Sequence, residues 1–156
     1  MTDEKFMRKA IAKAREGIRM GQAPFGACVV GAGKVVSCAH NRVWMNNDIT
    51  AHAEVEAIRA ACRKLETIDL SGCVIYATCE PCPMCFTAIH WARIEKIVFG
   101  ARIRDAEAAG FSELPITNRQ MCEHGRCPVE VLGGVLRKEN LALFKEWSRR
   151  KDRKAY

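Results

Sequence analysis

The chain has 156 residues, a length that favours one compact domain at roughly 150 residues per domain. Hydrophobic residues make up 49% and charged residues 28%, which excludes a disordered chain, and 11 Gly and 5 Pro exclude collagen-like or other low-complexity folds. No apolar run reaches about 18 residues, and the first residues are charged and lack the apolar stretch of a secretory signal. We therefore expect a cytoplasmic protein with no membrane partner.

Nine cysteines are an unusual number for such a chain, and an odd count cannot pair completely. Because we expect an intracellular protein, we expect its thiols to be reduced. Most of them are then predicted to be small buried apolar side chains, among them Cys28, Cys38, Cys73 and Cys79.

The formal net charge of +7 is unevenly distributed. Residues 136–156 hold eight Lys or Arg and three acidic residues, so most of the excess lies at this end of the chain. A basic helix of this kind can bind nucleic acid, but it is also typical of a solvated helix face, and we favour the second interpretation.

Apolar periodicity predicts the elements of the first part of the chain. Apolar residues recur at three-to-four spacing over 3–20, which predicts an amphipathic helix. Two apolar runs, 26–30 and 34–40, flank a Gly-Ala-Gly turn and predict a β-hairpin. A polar loop over 41–50 then leads into a second helix that ends near Leu65.

The rest of the chain alternates between strands and helices. Strands are predicted at 73–79, 96–101 and 129–132, and helices at 81–94 and 138–154. A hairpin followed by this alternation predicts an α/β fold, namely a three-layer α/β/α sandwich with a central five-stranded mixed sheet. The long polar segment 112–128 lies outside this scheme and is predicted to be a loop.

Two short sequences carry metal-ligand chemistry. Cys82 and Cys85 lie three residues apart at the start of a predicted helix, where the positive helix end favours the thiolate that binds metal. His52 lies at the start of the preceding predicted helix and supplies an imidazole. Two sulfurs and one imidazole suit one zinc ion, and three protein ligands leave a fourth position for water.

Glu54 follows His52 by two residues and is predicted to take a proton from that water and pass it to the substrate. Bound zinc brings the pKa of water close to neutrality, which makes this transfer possible. Because a helix turns residues two apart by about 200°, the pair must lie at the helix entry. A redox pair would leave His52 and Glu54 without a role, and a structural zinc would lack a fourth local ligand.

These residues resemble a known family, since His-x-Glu followed by Pro-Cys-x-x-Cys is the signature of zinc-dependent nucleobase deaminases. Residues 50–59 and 79–85 are similar to the cytidine-deaminase-like zinc hydrolases, most of all to bacterial guanine deaminases and tRNA adenosine deaminases. The resemblance covers nearly the whole chain. It implies that zinc-bound hydroxide attacks an amidine-like ring carbon while Glu54 shuttles protons, so that C–NH2 becomes C=O and ammonia leaves.

Several further residues resemble the guanine deaminase branch. A carboxylate at Glu113 suits guanine, whose N1–H and 2-amino group are donors, because carboxylates only accept. Tyr156 is implied to close the site, in some members from a partner subunit that exchanges its C-terminal segment, here 136–156. The full set of implied substrate contacts is Phe25, Asn41, Ala53, Trp91, Glu113 and Tyr156.

Other interpretations of these positions stay open. Phe25 and Trp91 are also expected as buried core aromatics, and Glu113 as a solvated loop charge. Tyr156 lies in a region where chains are often frayed. Asn41 is implied to bind the base in both branches and so does not separate them.

The resemblance predicts one zinc-dependent deaminase domain over 1–156, which binds one Zn2+ per chain and converts guanine to xanthine as a homodimer. A tRNA adenosine deaminase is the main rival, and the basic segment 136–156 is its best argument. Cytosine or guanosine deamination, and a non-catalytic zinc-stabilised module that binds nucleic acid, also stay open.

Two features depart from the family pattern. Ile49 stands where both branches commonly have Pro, which bears on the loop that carries Asn41. The segment 112–128 is unlike either branch, and its Cys122, His124 and Cys127 could hold a second metal. Their loose spacing favours an ordinary loop.

Overall fold

The computed structural model describes residues 2–156. Its strands are β1 (Gly26–Gly31), β2 (Lys34–His40), β3 (Cys73–Cys79), β4 (Lys96–Ala101) and β5 (Glu130–Gly133). They form one sheet in the order β2-β1-β3-β4-β5. Strand β1 runs antiparallel to β2 and β3, whereas β3, β4 and β5 are parallel. This confirms the five-stranded mixed sheet.

Helices cover both faces of the sheet, which confirms the three-layer α/β/α sandwich. One core cluster joins the first and last helices, Asp3–Arg19 and Arg137–Ser148, to the sheet, and the other joins the helices Ala53–Leu65 and Pro83–Trp91 to its opposite face. Within the described residues, no helix is both long enough and apolar enough to cross a lipid bilayer. The helices are α1 (Asp3–Arg19), α2 (Val43–Asn46), α3 (Ala53–Leu65), α4 (Pro83–Trp91), α5 (Ile103–Ala108), α6 (Asn118–Gly125) and α7 (Arg137–Ser148).

Helix α1 lies directly against the sheet because its buried side chains recur every three to four residues. The close approach depends on Gly26 in β1. A Cβ atom built at Gly26 would collide with the backbone of Ala10 and Ala14 in α1. Glycine is therefore required here for packing.

Three predictions are wrong in part, two for helices and one for a loop. The helix predicted over 81–94 begins only at Pro83, because the residue before a proline is held in an extended conformation. The last helix ends at Ser148, since the charged residues that follow offer no apolar face to bury. The segment 112–128 contains α6, whose start is fixed by a capping box between Thr117 and Gln120.

The expectation that every thiol is reduced is also wrong. Cys28 and Cys38 form a disulfide between β1 and β2. The two residues are direct register partners in the antiparallel pair, with Cα atoms 4.1 Å apart, so their side chains point the same way across the hairpin.

An ion pair joins the starts of α5 and α7. The two terminal guanidinium nitrogens of Arg137, Nη1 and Nη2, donate to the Asp105 carboxylate at 2.7 and 2.9 Å. Burial alone raises the pKa of Asp105, but hydrogen bonds from Arg137 and from the Arg102 backbone outweigh it and hold the pKa below its usual value. The pair therefore stabilises the fold above the unfolded pKa of about 3.9, and this contribution is lost as the pH falls through the lower folded value.

We expect Arg137→Ala to lower the free energy of unfolding by about 2 kcal/mol at pH 7, because it removes two hydrogen bonds to a charged group. Arg150→Ala is the matched control, since it breaks an exposed pair with Asp152 that should contribute at most about 1 kcal/mol. Urea unfolding at pH 7 and in acid measures the free energy of unfolding of both variants. An Arg137→Ala effect that did not shrink in acid would contradict this account.

Candidate metal centre

Three side chains that carry metal-binding atoms converge at one edge of the sheet. The ligand atoms of His52, Cys82 and Cys85 all lie within 4.8 Å of one another. His52 Nδ1 is 3.6 Å from Cys82 Sγ and 3.5 Å from Cys85 Sγ. Nitrogen and sulfur ligands of a tetrahedral zinc ion stand about 3.6 Å apart, so the donor set fits zinc in chemistry and in spacing.

Helix starts bring these ligands together. His52 is the N-cap of α3 and Cys82 the N-cap of α4, and both have the extended backbone that a helix entry requires. Cys85 follows one turn into α4, so its side chain points back toward Cys82. Pro83 occupies the first helical position, where no backbone N–H is needed.

Glu54 lies in the first turn of α3 beside the ligands. The prediction that His52 and Glu54 must flank a helix entry agrees with this placement, because His52 itself is not helical. The Glu54 side chain is buried, with 8% of the residue exposed, and it lines the same inner cavity as His52 and Cys82.

Burial controls the protonation of these groups. The pKa of Glu54 is raised to about 7, mainly by burial and also by the negative charge of Cys82, while the positive charge of His52 opposes the rise. A hydrogen bond from Cys85 is the largest cause that lowers the pKa of Cys82 to about 4. The site thus favours a thiolate at Cys82 and a carboxyl group at Glu54 that exchanges protons near neutral pH.

Two adjoining cavities lead to the ligands. The inner one has a volume of about 20 Å³, enough for one water molecule, and is lined by Asn41, Glu54 and Phe25 among others. The outer one has a volume of about 240 Å³, and its walls include Ile49, Met84 and Leu114. His52, Cys82, Glu113 and Tyr156 line both. The space suits a small planar ligand next to a water.

Asn41 and Tyr156 meet over this space. The Asn41 amide donates to the Tyr156 hydroxyl at 2.6 Å, and its oxygen accepts from the Val43 backbone at 3.1 Å. The Tyr156 ring lies 5.5 Å from the His52 ring, centroid to centroid. Residues after Ser148 therefore fold back and close the site of their own chain.

Phe25 and Glu113 both reach the cavities. The rings of Phe25 and Phe111 pack edge to face, with their centroids 4.9 Å apart. Because Phe25 also lines the inner cavity, it is both a core residue and part of the site. Burial raises the pKa of Glu113 to about 7, with the charges of Cys82 and Glu54 adding to the rise. Ala53 is the first residue of α3, and its side chain is buried in the core, so only its backbone can reach a ligand.

The structure does not bring Trp91 to the site. It is the last residue of α4, at the end opposite Cys82, and 77% of it is exposed. Trp91 lines neither cavity that contains His52. The prediction that Trp91 lines the pocket is therefore wrong within one chain. The alternative prediction, that Trp91 is a buried core residue, is also wrong.

Cys122, His124 and Cys127 do not form a metal group. In residues 2–156 the only cluster with three ligand atoms in range is the one at His52. Cys122 packs against the core cluster on the face of the sheet that α3 and α4 cover. Cys127 Sγ lies 3.4 Å from His90 Nδ1. The placement agrees with a structural role for these thiols.

Sequence reasoning missed two residues at the site. Glu80 is buried between Cys79 and Pro81 and lines the inner cavity. The sequence signal that could have indicated Glu80 is its position directly before the Pro-Cys-x-x-Cys motif. Phe111 lines the outer cavity and packs against Tyr156 with ring centroids 5.3 Å apart, a contact that no local pattern indicates.

Comparison with known proteins identifies the protein family to which the chain belongs. Residues 1–101 match the family model described as the cytidine and deoxycytidylate deaminase zinc-binding region. The chain is 45% identical to the guanine deaminase of Bacillus subtilis (strain 168) over 114 residues, which are 72% of this chain and 73% of that protein. It is 46% identical to a tRNA-specific adenosine deaminase of Aquifex aeolicus (strain VF5) over 101 residues, 65% of this chain and 67% of that protein.

The fold is also similar to solved structures. A guanine deaminase from Nitrosomonas europaea superposes with a TM-score of 0.87 at 31% sequence identity. The match covers 96% of this chain and 86% of that structure, so it extends beyond the metal centre to the whole sandwich.

Proposed function

We propose that guanine is the substrate of this chain, which belongs to the family defined by the zinc-binding region of cytidine and deoxycytidylate deaminases. Family membership makes it a hydrolytic deaminase that uses zinc. We further propose that residues 1–156 act as one deaminase domain with one zinc ion per chain, and that the products are xanthine and ammonia. The observation that carries the choice of guanine is the carboxylate of Glu113 at the cavity that His52 and Cys82 also line.

The proposed reaction assigns one task to each residue. His52, Cys82 and Cys85 would hold the zinc, which when bound lowers the pKa of a water molecule. Glu54 takes a proton from the attacking water and delivers a proton to the substrate, so that the amino group leaves as ammonia. The small inner cavity beside Glu54 supports this task, because it has room for one water.

The other residues hold the base. Guanine presents an N1–H donor next to the carbon that is attacked, and Glu113 is an acceptor on the cavity wall. Asn41 is buried and its amide faces Tyr156, so both can hydrogen-bond the ring edge once a ligand separates them. Tyr156 covers the site and limits access of bulk water.

We expect Glu113→Gln to raise KM for guanine and lower kcat/KM about 10- to 100-fold, because the new amide N–H₂ faces donors on the base. Glu123→Gln is the control, since Glu123 is exposed on α6 in the same segment. Steady-state kinetics with guanine measures both. Equal kinetics for the two variants would contradict the assignment of Glu113.

The proposed substrate is tested by measuring ammonia release from guanine, adenine, cytosine and a tRNA anticodon stem-loop. We expect release from guanine with xanthine formed in equal amount. The zinc content of the same sample should be one per chain. Turnover of the stem-loop alone, lost at raised salt, would overturn the guanine assignment.

A tRNA adenosine deaminase is the second candidate. Exposed cations in the last residues favour it, among them Lys151, Arg153 and Lys154 close to Tyr156. Part of the charge is neutralised within the chain, since Arg137 pairs with Asp105 and Arg150 with Asp152. The apolar outer cavity walls at Ile49, Met84 and Leu114 offer no partner for a phosphate, which favours the free base.

We also propose a cytoplasmic homodimer as the working form. Trp91 is 77% exposed, and aromatic side chains are enriched in protein interfaces. Sedimentation equilibrium should give a mass twice that of one chain. A single-chain mass at assay concentration would contradict this part of the proposal.

A further inference from the structure

Glu80 and Asn118 form a buried polar cluster between the metal-binding loop and the segment that carries Glu113. Their exposed fractions are 8% and 0%. Glu80 follows the last residue of β3, and Asn118 is the first residue of α6. Neither side chain is a metal ligand, and neither is a proposed substrate contact.

The Glu80 carboxylate holds the first backbone N–H of two helices. Oε1 accepts a hydrogen bond from the Asn118 N–H at 2.9 Å, and Oε2 accepts one from the Ile103 N–H at 3.5 Å. The first N–H groups of a helix have no partner within the helix, and they carry partial positive charge. One carboxylate therefore links the starts of α5 and α6, in addition to the local contacts of Asp105 with the Arg102 N–H and of Thr117 with Gln120.

Asn118 adds a second link to the metal-binding loop. Its Nδ2 donates to the Pro81 carbonyl at 2.7 Å, directly before the ligand Cys82. The segment from Ile103 to Asn118 is thus attached at both ends to residues 80–81, which lead into the metal ligands.

The segment between these attachments presents Glu113 to the cavity. Glu113 lies five positions before Asn118, and Pro115 restricts the backbone between them. In the described part of the chain, burial and nearby charges act on the Glu113 carboxylate, but no hydrogen bond holds it. Its position therefore follows from the backbone that carries it.

We propose that Asn118 and Glu80 are positioning residues that set the place of Glu113 relative to the metal ligands. The inference rests on the proposed role of Glu113 in binding guanine. It gives the 112–128 segment a task in substrate selection, because α6 anchors the residues that precede it.

Asn118→Ala in the zinc-loaded full chain tests this role, because Asn118 touches neither ligand nor cavity whereas Glu80 lines the inner cavity. We expect KM for guanine to rise about tenfold, with a smaller change in kcat and zinc still at one per chain. In the Glu113→Gln background the same substitution should leave KM unchanged, because the carboxylate to be placed is gone.

Asn140→Ala is a matched control. Asn140 is 1% exposed and donates Nδ2 to the carbonyls of Val135 and Leu136, but it lies in α7, away from both cavities that contain His52. This variant should lower Tm as Asn118→Ala does and leave KM for guanine unchanged.

The outcomes are distinct. A KM unchanged by Asn118→Ala, or raised equally with and without Glu113→Gln, overturns the positioning role. A KM unchanged by Glu113→Gln itself overturns the proposed function, and the inference with it. If Asn118→Ala does not fold, Asn118→Ser, which keeps a hydroxyl at the buried position, goes through the same measurements with the same criteria.

Discussion

Replacing Glu54 with Gln should abolish turnover while zinc stays bound. Glutamine keeps the size of the side chain but cannot carry a proton between water and substrate, so kcat should fall by about 10³-fold or more. His52, Cys82 and Cys85 are unchanged, so the zinc content should stay at one per chain. Steady-state kinetics and metal analysis on one preparation measure both quantities.

Glu56→Gln is the matched control for this prediction. Glu56 lies on the same helix α3 and pairs with Arg59 at 2.8 Å, outside both cavities that contain His52. We expect its kcat to stay within about twofold of the unmodified enzyme, since Glu56 lines neither cavity and its partner Arg59 is exposed. Substantial turnover in Glu54→Gln would assign the proton transfer to another group.

Replacing Cys82 with Ser should remove the metal. A serine hydroxyl is not ionised near neutral pH and is a much poorer zinc ligand than a thiolate. We expect zinc to fall well below one per chain, with loss of activity by about 10³-fold or more, because the water is no longer activated.

Cys62→Ser controls for the loss of a thiol. Cys62 is a free, partly buried cysteine on α3 that contacts neither metal ligand nor cavity. This variant should keep one zinc per chain and normal turnover. Full zinc occupancy in Cys82→Ser would show that a different set of residues holds the metal.

The cluster of His52, Cys82 and Cys85 could be predicted because its geometry is local. Each ligand lies at the N-terminal end of a helix, and the residues that define those ends, such as Pro83, are adjacent in sequence. The strands β3 and β4 were predictable with the right bounds for a related reason, since both are buried continuous apolar runs.

Other features depend on contacts between distant residues and could not be predicted. Helix α5 is short, and the N–H of its first residue contacts Glu80, which is far away in sequence. Helix α6 has a local signal for its start, the capping box between Thr117 and Gln120, but its link to Glu80 is also a contact between distant residues. The Cys28–Cys38 disulfide depends on the hairpin register, which spacing alone does not determine. Trp91 faces solvent because α4 ends there, although its neighbours in sequence resemble a pocket wall.

X-ray absorption at the zinc edge of the purified protein is the most direct test of the central claim, that His52, Cys82 and Cys85 hold one zinc with a position left for water. The account predicts two sulfur ligands at about 2.3 Å and two lighter ligands, nitrogen or oxygen, at about 2.0 to 2.1 Å. Three or more sulfur ligands on the zinc, or none, would contradict it.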